Sequence, residues 1–341
     1  MPPREFLSTR LSRLLLQDDP MSEPLVSIII PTLSRLELLV QSILSVTAQD
    51  YGNIEIVVSN NASRDGTEEF LNRINNKDLI VVTNPFTLPL EINVAEAVRR
   101  AKGKYMLVLS DDDLISNNYI STMVAAFEAD EAVQVGLGRR VLINEKGEVL
   151  HQAEPMAATA YAEAAATWMP RYFASPTAHN QINTVFSVFY RRAEWLRCGG
   201  QPALSSSFFA DTIPFIGVNT PETKVFYAPD ALFLYRMHHN QATRQNAAKQ
   251  TYLGLFQFFE HLRRVMGAFE ASDAFRAAII RYILMMFFGS CGHFAQEEKI
   301  EPADLYKVLW GFLGGGSAVV DARSAEAADS RAVPLPVAGA A

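Results

Sequence analysis

The sequence predicts an α/β protein: a mostly parallel sheet flanked by helices, with a helical extension towards the C-terminus. Two observations carry this. Short apolar runs alternate with segments of helical period through the first third of the chain, and polar turn residues follow the apolar runs at corresponding ends. A third observation locates a site: Asp111, Asp112 and Asp113 directly follow the apolar run 105–109, which crowds negative charge onto the end of a strand.

Each element can be justified in order. Residues 25–30 form an apolar run ended by Pro31, and 36–46 then show helical spacing. The pattern repeats as strand 54–59, helix 65–74, strand 79–83, helix 92–101 and strand 105–109. In parallel sheets ligands sit outside the carboxyl ends of the strands, where Pro31-Thr32, Asn60-Asn61 and residues 110–113 all fall. Further on, 134–143 and 148–150 predict a hairpin about Glu145-Lys146-Gly147, whereas the alanine-rich stretch 153–166 carries no usable pattern. Residues 184–190 and 224–235 have the β-branched and aromatic content of strands. Residues 252–265 and 275–288 are apolar at helical spacing.

Composition bounds the function. The chain has 341 residues, 49% hydrophobic and 20% charged, with a formal net charge of −7, which argues against a nucleic acid as principal partner. Its two cysteines, Cys198 and Cys291, lack metal-ligand spacing, so reduced thiols in a cytoplasmic protein are expected. Arg4, Arg10 and Arg13 among leucines give the first 22 residues an amphipathic helical character and no secretory-signal core. Arg276 and Arg281 interrupt the apolar stretch 275–288 and argue against a spanning helix. Peripheral contact at the inner face of a membrane, with Met285, Met286, Phe287 and Phe288 inserted, is one reading of that stretch; burial against the rest of the protein is the expected one. From residue 314 the composition turns to Gly, Ala, Ser and Pro, and disorder is expected there.

The acidic run has two readings from its residues alone. Adjacent carboxylates repel, and a divalent cation bridging to substrate phosphates is a common means of neutralising them. The alternative is an N-cap for a helix over 115–127, but a cap uses one Asp, not three.

Several segments, taken in order, resemble family 2 glycosyltransferases of GT-A fold. They are 26–32 (VSIIIPT), 56–67 (IVVSNNASRDGT), 101–105 (AKGKY) leading into Ser110-Asp111-Asp112-Asp113, 188–192 (VFYRR), Gly199-Gly200, Asp211 and 235–238 (YRMH). The resemblance covers roughly residues 25–243. It implies a GT-A domain over 23–243, with a nucleotide-binding half (23–130) and an acceptor half (131–243). An N-terminal segment (1–22), a helical extension (244–313) and a tail (314–341) lie outside it. It implies inverting transfer of a sugar from a nucleotide diphosphate sugar to a hydroxyl of a glycan or lipid-linked acceptor, in cell-surface polysaccharide synthesis, with Mg2+ or Mn2+. A non-catalytic sugar-nucleotide binding protein of the same fold is the alternative.

What the resemblance implies for individual residues follows the motif positions. Pro31, Thr32, Arg35, Asn60, Asn61, Asn93, Asp111 and Arg236 fall at nucleotide-sugar-binding positions. Asp112 matches the second aspartate of the family's DxD motif, with Ser110 in the first position; Asp112, Asp113 and His238 are the implied metal ligands, and His239 lies one place past the match. Asp211 is the implied general base. Where Asn60 stands the family carries an aspartate that accepts the imide hydrogen of uracil or thymine. An amide both donates and accepts, so a UDP or dTDP sugar is the default donor and a CDP sugar the alternative. For Asn60 and Asn61 ordinary turn chemistry, and for Asn93 the polarity of a core-facing helix, are the competing explanations.

Overall fold

The computed structural model describes residues 23–174, 186–206, 209–238, 248–269 and 272–313. Its first half is the expected alternation: β1 (Val26–Thr32), α1 (Leu36–Thr47), β2 (Ile54–Asn60), α2 (Thr67–Arg73), β3 (Leu79–Thr83), α3 (Leu90–Arg100) and β4 (Tyr105–Val108). These strands are parallel in the order β3-β2-β1-β4. β1 runs through Pro31 without a break. Ile29 O accepts from Leu109 N, so Pro31, two residues on, turns its missing N–H towards the β4 side, beyond the last paired residue of β4. Thr32 faces the other way and its carbonyl accepts from Asn61 N.

The second half comprises β5 (Leu114–Ile115), α4 (Tyr119–Ala129), β6 (Val133–Ile143), β7 (Val149–Gln152), β8 (Tyr161–Ala164), α5 (Ala165–Ala174), β9 (Val188–Arg191), α6 (Arg192–Arg197), α7 (Thr212–Gly217) and β10 (Lys224–Arg236). Three helices follow: α8 (Ala248–Met266), α9 (Asp273–Glu297) and α10 (Pro302–Phe312). The sheet order continues from β4 as β9-β6-β10-β5, with β7 on β6 and β8 on β10. β6 and β10 are parallel, but β9 is antiparallel to both β4 and β6, and β5, β7 and β8 are antiparallel to their partners. The sheet is therefore parallel in its first half and mixed in its second.

Two expectations change. Leu114 and Ile115 pair with β10, and the helix after them begins only at Tyr119, so the aspartate triplet caps no helix. The patternless stretch 153–166 supplies β8 and the first turn of α5, where repeated alanines give too little polarity contrast to mark either.

Two motif features have a packing reason. A Cβ on Gly103 would lie 2.6 Å from Ser27 N and from Tyr105 O, so only glycine lets the start of β4 approach β1 this closely. The same backbone N–H donates to Ser27 Oγ at 2.8 Å and Glu55 Oε1 at 3.2 Å, and Lys102 N donates to Glu55 Oε1 at 2.5 Å. Arg191 and Arg192 are backbone staples: Arg191 donates to the carbonyls of Val133 and Phe127, both at 2.8 Å, and Arg192 to that of Gly103 at 2.9 Å.

Apolar cores cover both faces of the sheet. One packs α1, α2 and α4 through residues such as Leu39, Leu71, Tyr119 and Phe127; the other joins α3, α5 and α7–α10 through Val94, Trp168, Phe215, Phe258, Ile279 and Leu309. Phe275, Ile279, Ile283 and Phe287 of α9 are fully buried, and Met285, Met286 and Phe288 pack partly buried against the same core. The stretch 275–288 is thus a core helix, and among the described residues no single helix is long and apolar enough to cross a membrane. The segments 1–22 and 314–341, and His239, lie outside the described residues.

Candidate active site

The carboxyl ends of β1 and β4 bring a polar cluster together. Thr32 Oγ1 donates to Asp111 Oδ2 at 2.7 Å, and Arg35 Nη1 donates to Asp111 Oδ1 at 3.2 Å and Asp112 Oδ2 at 2.9 Å. His238 Nε2 lies 2.9 Å from the same Asp112 Oδ2, just beyond the end of β10. One carboxylate oxygen is therefore shared by a guanidinium and an imidazole contributed from opposite ends of the domain sequence.

Arg35 is held in place by loop-to-loop hydrogen bonds. Ser34 N donates to Ser63 Oγ at 2.8 Å, Arg64 N to Ser34 Oγ at 3.1 Å, and Leu36 N to Asp65 Oδ2 at 2.8 Å. Asp65 also accepts from Thr67 N and Oγ1, which serves the start of α2. Although burial opposes its charge, these hydrogen bonds hold the Asp65 carboxyl below its ordinary pKa. The Ser63-Arg64-Asp65-Gly66-Thr67 motif thus laces the β1–α1 loop to the β2–α2 loop.

The electrostatics of the triplet are strained. Burial, then the charge of Asp112, push the Asp111 carboxyl up to about 7, with Arg35 and Thr32 opposing the rise. Burial and Asp112 likewise push Asp113 well above the ordinary carboxylate range. Asp113 has a backbone duty, since its Oδ1 accepts from Arg236 N at 2.8 Å. An added cation is the simplest relief for such a cluster. Among the described residues no three His, Cys, Asp or Glu side chains converge with metal-ligand geometry. Asp112 Oδ2 and His238 Nε2, 2.9 Å apart, are nevertheless separated as adjacent ligands of an octahedral ion with bonds of about 2.1 Å would be. Mg2+ typically takes few protein ligands and completes its shell with substrate phosphates and water, so this pair fits such an ion.

Other residues singled out from the sequence are placed differently. Arg236 is 1% exposed, and its guanidinium donates to Asp112 O, Asn144 O, Glu145 O and Gln41 Oε1, so it clamps the acidic loop to the β6–β7 turn rather than standing free for a phosphate. Asn61 Nδ2 donates to Leu88 O and its Oδ1 accepts from Leu88 N and Asn84 Nδ2. Asn93 Oδ1 accepts from Ser59 Oγ at 2.6 Å and Asn84 Nδ2 at 2.7 Å. Asn61 and Asn93 are thus spent on a buried amide network that ties the β3–α3 loop to β2. Asn60, fully buried beside Thr32, accepts from Ser63 N through Oδ1, and its Nδ2 has no partner. Pro31 is a buried strand residue whose contribution is backbone shape.

Asp211 immediately precedes α7 and makes no side-chain cap to it. Its charge is felt by the hydroxyls of Tyr172, Tyr190 and Tyr282, all pushed up first by burial, which places the carboxylate in an aromatic, partly desolvated surrounding. Phe208, one of the apolar neighbours expected to desolvate it, lies outside the described residues. Sequence reasoning missed Glu91 and Arg140. Glu91 is 4% exposed with an unpartnered Oε1, and Arg140 has a buried, unpartnered Nε. Neither sits in a motif: Glu91 falls just before the predicted helix 92–101, and Arg140 inside the predicted hairpin strand 134–143.

Comparison with known proteins agrees with this geometry. Residues 27–193 match the glycosyl transferase family 2 profile. A glycosyltransferase of Haemophilus influenzae is 36% identical over 102 residues, 29% of this chain and 40% of that protein. The Escherichia coli UDP-Glc:alpha-D-GlcNAc-diphosphoundecaprenol beta-1,3-glucosyltransferase WfaP is 29% identical over 107 residues, 31% of this chain and 43% of WfaP. The matches thus span less than half the length of these curated relatives. Among solved structures, residues 1–349 of S. aureus TarS in complex with UDP-GlcNAc superpose with a TM-score of 0.61 at 17% identity, covering 85% of this chain and 80% of that one. By motif order, sheet topology and profile match, residues 27–193 of the chain form a glycosyl transferase family 2 region, on a GT-A fold.

Proposed function

We propose that the protein transfers a sugar, with inversion, from a nucleotide diphosphate sugar to a hydroxyl of a lipid-linked or glycan acceptor, with Mg2+ or Mn2+ at Asp112 and His238. The observation that carries the reading is Asp112 Oδ2, met at 2.9 Å by both Arg35 and His238 at the strand ends. When bound, the ion would neutralise charge building on the departing nucleoside diphosphate. Arg35, now on Asp111 and Asp112, supplies a second positive group to the same phosphates, while Thr32 orients Asp111 for the ribose or an ordered water. Asp113 and Arg236 hold the acidic loop against β10. Asp211 accepts the proton of the attacking hydroxyl, from a position within electrostatic reach of Tyr172 and Tyr190. The lipid-linked acceptor is inferred from relatives such as WfaP, whose name specifies a diphosphoundecaprenol substrate.

The donor base follows from Asn60. With Oδ1 held by Ser63 N, its remaining group is a donor, suited to a base carbonyl or the ring nitrogen of cytosine and not to the imide hydrogen of uracil. The test is a donor-hydrolysis and calorimetric screen over UDP, dTDP and CDP sugars, with and without chelator. Donor binding should require the metal and weaken about 10–100-fold in Asp112→Asn, the loss of a hydrogen bond to a charged group. Asp211→Asn should keep donor affinity and lose transfer. Binding indifferent to chelator and to Asp112→Asn would sink the metal reading; transfer surviving in Asp211→Asn would sink the base.

A further inference from the structure

The start of α1 departs from its own sequence signal. Residues 34–37 read Ser-Arg-Leu-Glu, the capping-box order in which the serine hydroxyl accepts from the N–H of Glu37 and the Glu37 carboxylate reaches back to Ser34 N. The helix does not use it. It begins one residue later, with Arg35 in the cap position at φ −139° and ψ 46° and no cap from its own side chain. Arginine is a poor cap, because its side chain has no acceptor to offer the first turn. Ser34 is held at φ 53°, and its hydroxyl accepts from Arg64 N in the neighbouring loop. Among the described residues only two other non-glycines have positive φ, and one of them, Ala62 at 60°, lies in that same neighbouring loop.

Asp65 replaces the unused cap. Its Oδ2 accepts from Leu36 N at 2.8 Å, the first N–H of α1, and its Oδ1 accepts from Thr67 N at 3.2 Å, the first N–H of α2. One carboxylate therefore closes two helix starts from outside both, where its negative charge is favourable to each. Ser63 Oγ takes Ser34 N at 2.8 Å and completes the bridge between the loops. The backbone of Arg35 is thereby kept out of the helix, and its Nη1 reaches Asp111 Oδ1 and Asp112 Oδ2. With Ser34 as cap, Arg35 would become the first helical residue, a change of about 90° in ψ that redirects its side chain. A local rule broken at this point, with a serine in the left-handed region beside it, is the pattern expected where placement of one side chain matters more than helix capping.

We propose that Asp65 is a positioning residue of the donor site: it selects the later helix start and so holds Arg35 where the donor's phosphates arrive. This rests on the function proposed above and adds to it a residue that acts on the diphosphate only through Arg35.

The experiment titrates the full chain, with Mg2+, against UDP and CDP by calorimetry and against uridine and cytidine by NMR, for wild type, Asp65→Ala, Arg35→Met and the double variant. Nucleotide affinity is expected to fall about tenfold in Asp65→Ala, because a charge-assisted contact to phosphate is misplaced, with nucleoside affinity unchanged. The double variant should bind no more weakly than Arg35→Met, since a residue that works through Arg35 then has nothing left to position. Additive losses in the double variant overturn the proposal. So does nucleoside affinity that falls in step with nucleotide affinity, the mark of a merely structural role, and so does a full-affinity Asp65→Ala beside a weakened Arg35→Met. Unchanged nucleotide affinity in Arg35→Met, or no nucleotide binding by wild type, refutes the donor reading itself and the proposal with it. If Asp65→Ala fails to fold by circular dichroism, Asp65→Asn decides: it keeps one acceptor oxygen and loses the charge, so a nucleotide-selective weakening is expected there too, and its absence overturns the assignment.

Discussion

Gly103→Ala should damage the protein far out of proportion to one methyl group. The added Cβ would fall 2.6 Å from Ser27 N and from Tyr105 O, and 2.5 Å from Ser27 Oγ. Backbone atoms cannot rotate away, so the Ser27 contact is relieved only by moving the start of β4 from β1, and the Tyr105 contact only by bending the segment that leads into β4. Overpacking of this kind costs about 3 kcal/mol. Weakening the Gly103 N–H hydrogen bonds to Ser27 and Glu55 adds about 1 kcal/mol. Restricting the unfolded chain returns roughly 0.5–1 kcal/mol, leaving a net loss of about 3 kcal/mol. At about 2.1 cal/mol/K of unfolding entropy per residue, a chain of this length loses roughly 1.5 °C per kcal/mol, so the midpoint should fall about 5 °C. Differential scanning calorimetry measures it. Because β4 leads straight into residues 110–113, the displacement should also weaken UDP binding by calorimetry. A control separates the causes: Ser27→Gly in the Gly103→Ala background removes the Oγ contact but leaves the two backbone ones, and so should not restore stability. A midpoint within about 1 °C of wild type, or full rescue by Ser27→Gly, would refute the close-approach explanation.

Two further changes have signs fixed by burial. Glu91, in the first turn of α3, has its carboxyl pushed above the ordinary value by burial, with Oε1 unpartnered. A folded-state pKa above the unfolded one contributes stability that is present below the ordinary carboxylate range and lost as pH rises through the folded value. Glu91→Gln should therefore raise the urea midpoint over wild type at about pH 8, with the difference vanishing near about pH 4; a difference independent of pH would contradict the assignment. Asn93→Ala leaves Ser59 Oγ and Asn84 Nδ2 without their shared acceptor and should cost about 2–4 kcal/mol in urea unfolding, whereas a loss under about 1 kcal/mol would show that the amide network is not a structural tie.

Much of the first half could be read from the sequence because its signals are local. The runs that became β1, β2 and β4 are mostly apolar, as strands buried on both faces are, and the helices between them are amphipathic. The aspartate triplet and the Asn60-Asn61 turn lie at strand ends that the alternation itself predicts. What escaped is non-local. Nothing in the run 184–190 says that it enters antiparallel between β4 and β6, since the pairing depends on partners more than 40 residues away in sequence. Hydrogen-bond duties are equally hidden: Arg236, Asn61 and Asn93 look like ligand-binding residues by motif, and only coordinates show their donors and acceptors already engaged.

β9 is short, four residues only, yet among the described residues it is the sole strand in register with both β4 and β6. Tyr190 stands opposite Met106 on one side and Val135 on the other, and Phe189 opposite Leu107 and Gly136. It therefore works as a fixed-width spacer. The separation of β4 from β6 is set by that one strand's breadth. Under the function proposed above, a donor held at the end of β4 and an acceptor on the far side of β9 would meet at a separation that backbone pairing, and not loop conformation, determines.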